Sequence, residues 1–138
     1  MMRSIKGFDT KPELIVRSAL HKRGFRFRLH VSSLPGRPDI VLHKYNVVIN
    51  VNGCFWHRHP GCKYATTPAT NVETWRQKFD ANVERDKRNQ QLLLASGWRT
   101  GVVWECSLKN RTLLDLNLLF DEVAEWLKLG HGSLKVFG

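Results

Sequence analysis

No stretch of this chain is apolar for long enough to cross a bilayer, and residues 1–11 are basic and polar where a secretory signal needs an apolar core. A disulfide framework is excluded as well: three cysteines, an odd number without a secretion signal, point to a reducing compartment and hence the cytoplasm. Acid is scarce. Twelve Asp and Glu stand against 22 Lys and Arg, a formal net charge of +10. On a small domain that excess favours a polyanionic partner through counterion release, with nucleic acid the leading candidate. Charge alone also fits a soluble or ribosome-adjacent basic protein, and what shifts the balance is the interleaving of basic residues with aromatic and metal-type ones. Repeats and low-complexity tracts are absent, and 138 residues suffice for one domain with a real core but not comfortably for two.

What is there concentrates in residues 47–62, VVINVNGCFWHRHPGC. Val47, Val48, Ile49 and Val51 form a short β-branched run, the pattern of a buried strand, and Gly53 is read as a tight turn after it. Chemistry therefore sits at a strand end. Cys54, His59 and Cys62 have the spacing of a metal half-site, and the remaining cysteine, Cys106, follows another apolar run. Together they supply the four ligands of a closed structural zinc site with no cysteine left over. The plainer alternative is three buried free thiols and a surface histidine.

Around that stretch the pattern predicts an α/β domain, a mixed central sheet flanked by helices. Thr10 and Glu13 form a capping box with Pro12 in the first turn, opening a helix whose apolar face is Leu14, Ile15, Val16, Ala19 and Leu20 and which Gly24 ends. Phe25, Phe27 and Leu29 alternate with Arg26, Arg28 and His30, a strand with one buried and one cationic face. Residues 34–38, with two prolines, make a turn that ends at Asp39, and a strand 40–42 then pairs antiparallel with the run from Val47. Thr70 and Glu73 cap a long helix to Ser96, with Trp75, Phe79 and Val83 on one face and Lys78 and Asn82 on a neighbouring one. A strand 98–104 carries the chain to Cys106. Residues 113–129 form an amphipathic helix, Leu114, Leu118, Val123, Trp126 and Leu127 inward and Asp115, Asp121, Glu122 and Glu125 outward; its acidity makes it a poor nucleic-acid face.

Several of these residues invite a chemical reading beside a plain one. Asp39, a carboxylate at the start of a buried strand, can hold a divalent cation against a phosphodiester, although a Pro-Asp pair is also a common turn signature. His57 carries an imidazole, the side chain suited to general acid/base work, and Asp86 could orient it. It could equally be a second metal ligand or a solvated loop histidine, and Asp86 a helix-surface charge. Phe55 and Trp56, rigid beside a metal ligand, can wedge between base pairs, although aromatic pairs more often belong to a core.

Five stretches taken in order carry a resemblance that spans most of the chain: KGFDTKPELIVRSAL (6–20), LPGRPDI (34–40), GCFWH (53–57), NVERDKR (82–88) and GWRTGVVWEC (97–106). They resemble the very short patch repair (Vsr) T:G mismatch DNA endonucleases, of restriction-endonuclease-like fold. The resemblance implies a bacterial, cytoplasmic, nucleoid-associated monomer that nicks duplex DNA 5′ of the thymine at T:G mismatches. It implies structural Zn2+ on Cys54, His59, Cys62 and Cys106, and catalytic Mg2+ on Asp39 and the backbone carbonyl of Val51, with His57 as acid/base beside Asp86 and Glu13 near the active centre. An N-terminal arm, residues 1–9, would enter the minor groove with Met2 and Ile5 against the bases, ahead of a single endonuclease domain, 10–138. Phe55, Trp56 and Trp75 would wedge from the major-groove side, and Lys78 and Asn82 match base-reading positions. The wider class follows its Pro-Asp with Asp/Glu-x-Lys on the next strand, and that half is replaced here. Asn52 departs from the family too: it stands where His or Asp is general, and an amide neither carries negative charge nor acts as a base near neutral pH. Two alternatives thus stay open, a DNA- or mismatch-binding homologue with weak or no cleavage and a restriction-type endonuclease of different specificity.

Overall fold

The computed structural model describes residues 10–138; the expected arm, with Met2 and Ile5, lies outside the described residues. Helix α1, Lys11–Lys22, begins where the Thr10 hydroxyl accepts from the Glu13 N–H at 3.5 Å, with proline in the first turn. Only that half of the predicted capping box forms among the described contacts. The Glu13 side chain turns inward, 3% exposed, and meets Arg17 one turn on at 2.9 Å. Val16 and Leu20 are fully buried while Leu14 faces outward.

The sheet has five strands in the order β1 (Arg28–Leu29), β2 (Ile40–Leu42), β3 (Val47–Asn52), β4 (Arg99–Trp104), β5 (Leu134–Phe137). The first three are antiparallel neighbours, and β3, β4 and β5 run parallel. Two register facts position the site. Ile40 pairs with Ile49, so Asp39 lies beside the end of β3, and Asn52 pairs with Trp104, so Cys54 and Cys106 follow side by side. The long sequence gap between the cysteines is bridged by α2 (Val72–Ala95), the crossover that a parallel pair requires.

Alternation along the strands feeds two cores. Ile40, Leu42, Val47, Ile49 and Val103 pack under α1 and α3 (Leu113–Leu129), and Val41 and Val48 meet Leu93 of α2 on the other face. Gly101 on β4 is required by this packing, since a Cβ there would lie 3.0 Å from the Trp126 ring and 3.3 Å from Ile49. Arg99, at the start of β4, is buried against Trp126 and donates to the carbonyls of Trp126, Leu127, His131 and Gly132, closing the C-terminal end of α3. Among the described residues no helix is long and apolar enough to cross a membrane.

Four expectations are corrected. The predicted strand over Phe25, Phe27 and Leu29 is a two-residue edge strand, with Phe25 buried but Leu29 39% exposed. Helix α2 starts at Val72, not at a Thr70 cap: Asn71 holds the cap position in a left-handed conformation with no side-chain hydrogen bond, and Glu73 pairs with Arg76. On α3, Leu114 and Leu118 are 66% and 59% exposed, and the buried stripe is Phe120, Val123, Trp126 and Leu127. At 3.6 residues per turn Leu114 and Val123 lie about half a turn apart, so both cannot face the sheet. Finally, α3 is followed by β5, a four-residue strand too short for periodicity to reveal.

Candidate active site and metal cluster

The register of β2 and β3 opens a cavity of about 600 Å³ beyond the ends of these strands, walled by the start of α1, by the 36–37 turn and by the middle of α2. The wall is tight at Gly36, which has φ +75°, and where a Cβ would come within 2.8 Å of Asn89 on α2. Asp39 lines the cavity. Its Oδ2 accepts from the Val51 N–H at 2.7 Å, and its own N–H donates to Asn50 Oδ1 at 3.2 Å, so carboxylate and strand end are locked together. Burial, aided by the nearby Glu13 charge, pushes the Asp39 carboxyl up to about 7; the Val51 N–H, His57 and Arg17 pull the other way. A carboxylate this hard to ionise is suited to a cation that replaces its proton.

His57 and Asp86 enter the same cavity from the segment after β3 and from α2. His57 Nδ1 lies 2.6 Å from Asp86 Oδ2. A carboxylate only accepts, so Nδ1 carries the proton and Nε2 is the nitrogen left to exchange one. Gly53, expected as a tight turn, achieves the exit from β3 without a positive φ. Asn52 and Glu105 also line the cavity, Glu105 on the turn after β4.

Beside Asp39, Glu13 is joined by His30, which no local sequence signal places there. Glu13, His30 and Asp39 offer ligand atoms within 4.8 Å of one another, and Arg17 reaches both Glu13 Oε2, at 2.9 Å, and His30 Nε2, at 3.0 Å. The Glu13–Arg17 spacing of four on one helix was a legible signal. In the sequence pattern His30 belongs to a cationic strand face, and nothing local shows that residue 30 folds back over residue 13.

The donor atoms of Cys54, His59, Cys62 and Cys106 all lie within 4.8 Å of one another, so the distant Cys106 joins the half-site formed by the other three. His59 Nδ1 is 3.7 Å from Cys54 Sγ and 3.4 Å from Cys106 Sγ. Tetrahedral Zn2+, with bonds of about 2.3 Å to sulfur and 2.0–2.1 Å to nitrogen, places neighbouring donors roughly 3.5–3.8 Å apart, so the set fits a closed site. Burial pushes the Cys54 thiol up to about 12, while the backbone N–H groups of Tyr64 and Ala65 favour the Cys62 thiolate. His59 is stacked on Trp104 at 4.2 Å between ring centroids.

On the outer side Phe55 meets Trp56 at 5.2 Å, Trp75 at 5.7 Å and Phe79 at 5.2 Å, all edge-on. Phe79 is buried and the other three are half-buried. Lys78 is exposed with its ammonium 5.4 Å from the Trp75 ring centre, and the Asn82 amide donates to the Trp56 carbonyl at 3.3 Å. Asn82 thus already braces the aromatic group from within the chain.

Comparison with known proteins decides what this arrangement belongs to. The family model described as DNA mismatch endonuclease Vsr matches residues 1–63. The DNA mismatch endonuclease Vsr of Escherichia coli K12 is 44% identical over 132 residues, covering 96% of this chain and 83% of that one. The Type II nicking enzyme V.XorIIP of Xanthomonas oryzae pv. oryzae is 44% identical over 118 residues, 86% of each chain. V.NmeAIP of Neisseria meningitidis, also a Type II nicking enzyme, is 40% identical over 127 residues, 91% of this chain and 90% of that one. This chain belongs to the Vsr family of DNA mismatch endonucleases.

For this Vsr-family chain the structure therefore gathers Glu13, Asp39, Asn52, His57 and Asp86 at one cavity, with the Val51 backbone beside them. It gathers the Cys/His set at a second place and Phe55, Trp56 and Trp75 at a third. One segment, residues 52–62, contributes to all three: Asn52 and His57 to the cavity, Phe55 and Trp56 to the aromatic group, and Cys54, His59 and Cys62 to the Cys/His set. Arg58, in that segment, was not singled out from sequence at all.

Proposed function

We propose that the chain nicks one strand of duplex DNA 5′ of the thymine at T:G mismatches, starting very short patch repair as a cytoplasmic, nucleoid-associated monomer. In this reading residues 10–138 are a single restriction-endonuclease-like domain preceded by a DNA-contacting arm. The observation that carries it is the meeting of Asp39, the Val51 backbone and the His57–Asp86 pair in one cavity of about 600 Å³. Mg2+, held by Asp39 and the Val51 carbonyl with phosphate oxygens completing its shell, would supply Lewis-acid polarisation of the scissile phosphate and a more acidic bound water. Asp39 presents its charge with one oxygen fixed by the Val51 N–H. Asp86 holds the proton on His57 Nδ1, so that Nε2 takes a proton from the attacking water or returns one to the leaving oxygen. The Cys/His cluster, loaded with Zn2+, fixes the segment that carries both His57 and the aromatic wedge.

The test is nicking of a T:G duplex against its T:A control with Mg2+. Cleavage confined to the T:G duplex is expected, whereas equal cleavage of both favours a restriction-type specificity. Asn52 favours one second reading, a mismatch binder that has lost turnover. Placing a carboxylate or imidazole there, Asn52→Asp or Asn52→His, is expected to raise the rate about tenfold or more. If parent and both variants all bind DNA and none cuts, the binder reading stands.

Cation binding has a pH signature. Because the Asp39 carboxyl is raised from 3.8 to about 7, ionising it costs stability progressively as pH rises through that window. A cation that occupies the carboxylate relieves this cost only where the proton has left. Mg2+ added to the DNA-free protein is therefore expected to raise Tm by a few degrees near pH 8 and by much less near pH 6. An equal rise at both pH values, or the same rise in Asp39→Asn, would place the cation elsewhere.

A further inference from the structure

In a chain of net charge +10, an arginine between two histidines reads first as a contact to DNA phosphate. The geometry points to something else: we infer that Arg58 is an internal positioning residue that holds the aromatic wedge rigid and thereby sets selectivity for mismatched over matched DNA. This rests on the wedge reading of Phe55 and Trp56 and adds to it the residue that determines how well the wedge works.

The guanidinium is committed within the chain. Nη1 donates to the Phe55 carbonyl at 3.1 Å and to the Thr66 carbonyl at 2.8 Å. Nη2 donates to the Ala65 carbonyl at 3.0 Å and to Thr67 Oγ1 at 3.2 Å. Its central carbon sits 3.9 Å from the centre of the Phe79 ring, at the heart of the aromatic cluster, and 5.8 Å from that of Phe55. All four Nη–H donors thus have acceptors on the chain, leaving only the Nε–H of the five. The backbone at Arg58 is left-handed, φ 54°, a conformation that a non-glycine side chain holds only when its surroundings over-determine it.

What Arg58 joins matters more than the number of bonds. Phe55 and Trp56 lie between Cys54 and His59 of the Cys/His set, residues 65–67 on the loop after that set, and Phe79 on α2. One planar fork ties all three. A wedge must unstack a base step, and any loop ordering deferred until binding subtracts from what the mismatch contributes; a wedge ordered beforehand avoids that loss. Lysine cannot substitute, since an ammonium carries the charge without the planar fork or the stacking face.

The test compares Arg58→Ala and Arg58→Lys with the parent for binding to T:G and T:A duplexes without added Mg2+, over a range of salt. Both variants are expected to bind the T:G duplex about tenfold more weakly and the T:A duplex within about twofold of parent, with the slope of log K against log salt unchanged. A phosphate contact predicts otherwise: both duplexes weaken alike, the slope falls by about one in Arg58→Ala, and Arg58→Lys retains parental binding. That result overturns the inference. Metal content and Tm accompany each measurement, and a selective T:G loss in Arg58→Lys at parental metal content supports positioning even where the alanine variant is too unstable to score. Phe55→Ala separates the two layers. If Phe55→Ala weakens both duplexes equally, the wedge reading itself fails; if it is T:G-selective while the Arg58 variants are not, only the role of Arg58 fails.

Discussion

Asp39→Asn is expected to reduce nicking of T:G DNA by about 10³-fold or more, roughly 4 kcal/mol of barrier, while mismatch binding is preserved or tightened. The asparagine carbonyl can still accept from the Val51 N–H, now at 2.7 Å from Asp39 Oδ2, so the junction of β2 and β3 is retained. What disappears is the negative charge on which a divalent cation depends. Removing that charge also lifts a repulsion toward the phosphate, hence the unchanged or tighter binding. The protein should not be weakened. A carboxyl raised to about 7 by burial is a destabilising anion at pH 8, and the neutral amide is expected to give an equal or higher Tm there. Rate, affinity and melting measured together make the result decisive: a variant that loses binding and melts lower would show that Asp39 holds the fold rather than the reaction.

The parts of this site legible in the sequence are those fixed by local pattern. The β-branched run before Gly53, the Cys-x4-His-x2-Cys spacing and the apolar run before Cys106 point to a Cys/His set at the ends of two strands, and the donor atoms of residues 54, 59, 62 and 106 do converge. Asp39 beside Val51 was legible because a short antiparallel pair has little freedom of register once both strands are buried. Long-range accidents were hidden. His30 reaches Glu13 and Arg17 only because β1 is two residues long and the chain turns at His30 with φ 49°. Glu105 follows an apolar run with no local signal of a site, yet it begins a 3₁₀ turn that lines the cavity. Arg58 looked like one cation among 22 Lys and Arg, and its partners at 65–67 become neighbours only when the segment after β3 folds over on itself.

Helix phase on α3 held at Val123, Trp126 and Leu127 and missed at Leu114 and Leu118 for a different reason. On α3 leucines occur on two faces, and hydrophobicity alone assigned Leu114 and Leu118 to the core that Phe120, Val123, Trp126 and Leu127 occupy. The tertiary choice went to the stripe bearing the two large aromatics, because that stripe fills the space over Gly101. Arg99 then secures it through the carbonyls at the helix end.

The second large effect is expected at the metal cluster. Cys106→Ser should drop bound zinc from one per chain to near zero and lower Tm by roughly 10–20 °C, the scale of a loss of about 3–5 kcal/mol in a domain of this size. Serine keeps the volume but offers a hydroxyl, a far weaker zinc ligand than thiolate. The consequence extends beyond stability because Cys54, Phe55, Trp56 and His57 are consecutive. With Cys106 removed, the segment after β3 is no longer tied to the end of β4. His57 would then lose its fixed approach to Asp86, and Phe55 and Trp56 their anchored end. Nicking and mismatch selectivity should therefore decline at temperatures well below the melting transition, where α1, α3 and the sheet remain folded. A variant retaining full zinc content and the parental Tm would show that the three thiols and His59 are merely packed together. A variant that lost zinc yet kept selective nicking at low temperature would show that the wedge and the acid/base pair are held without the metal.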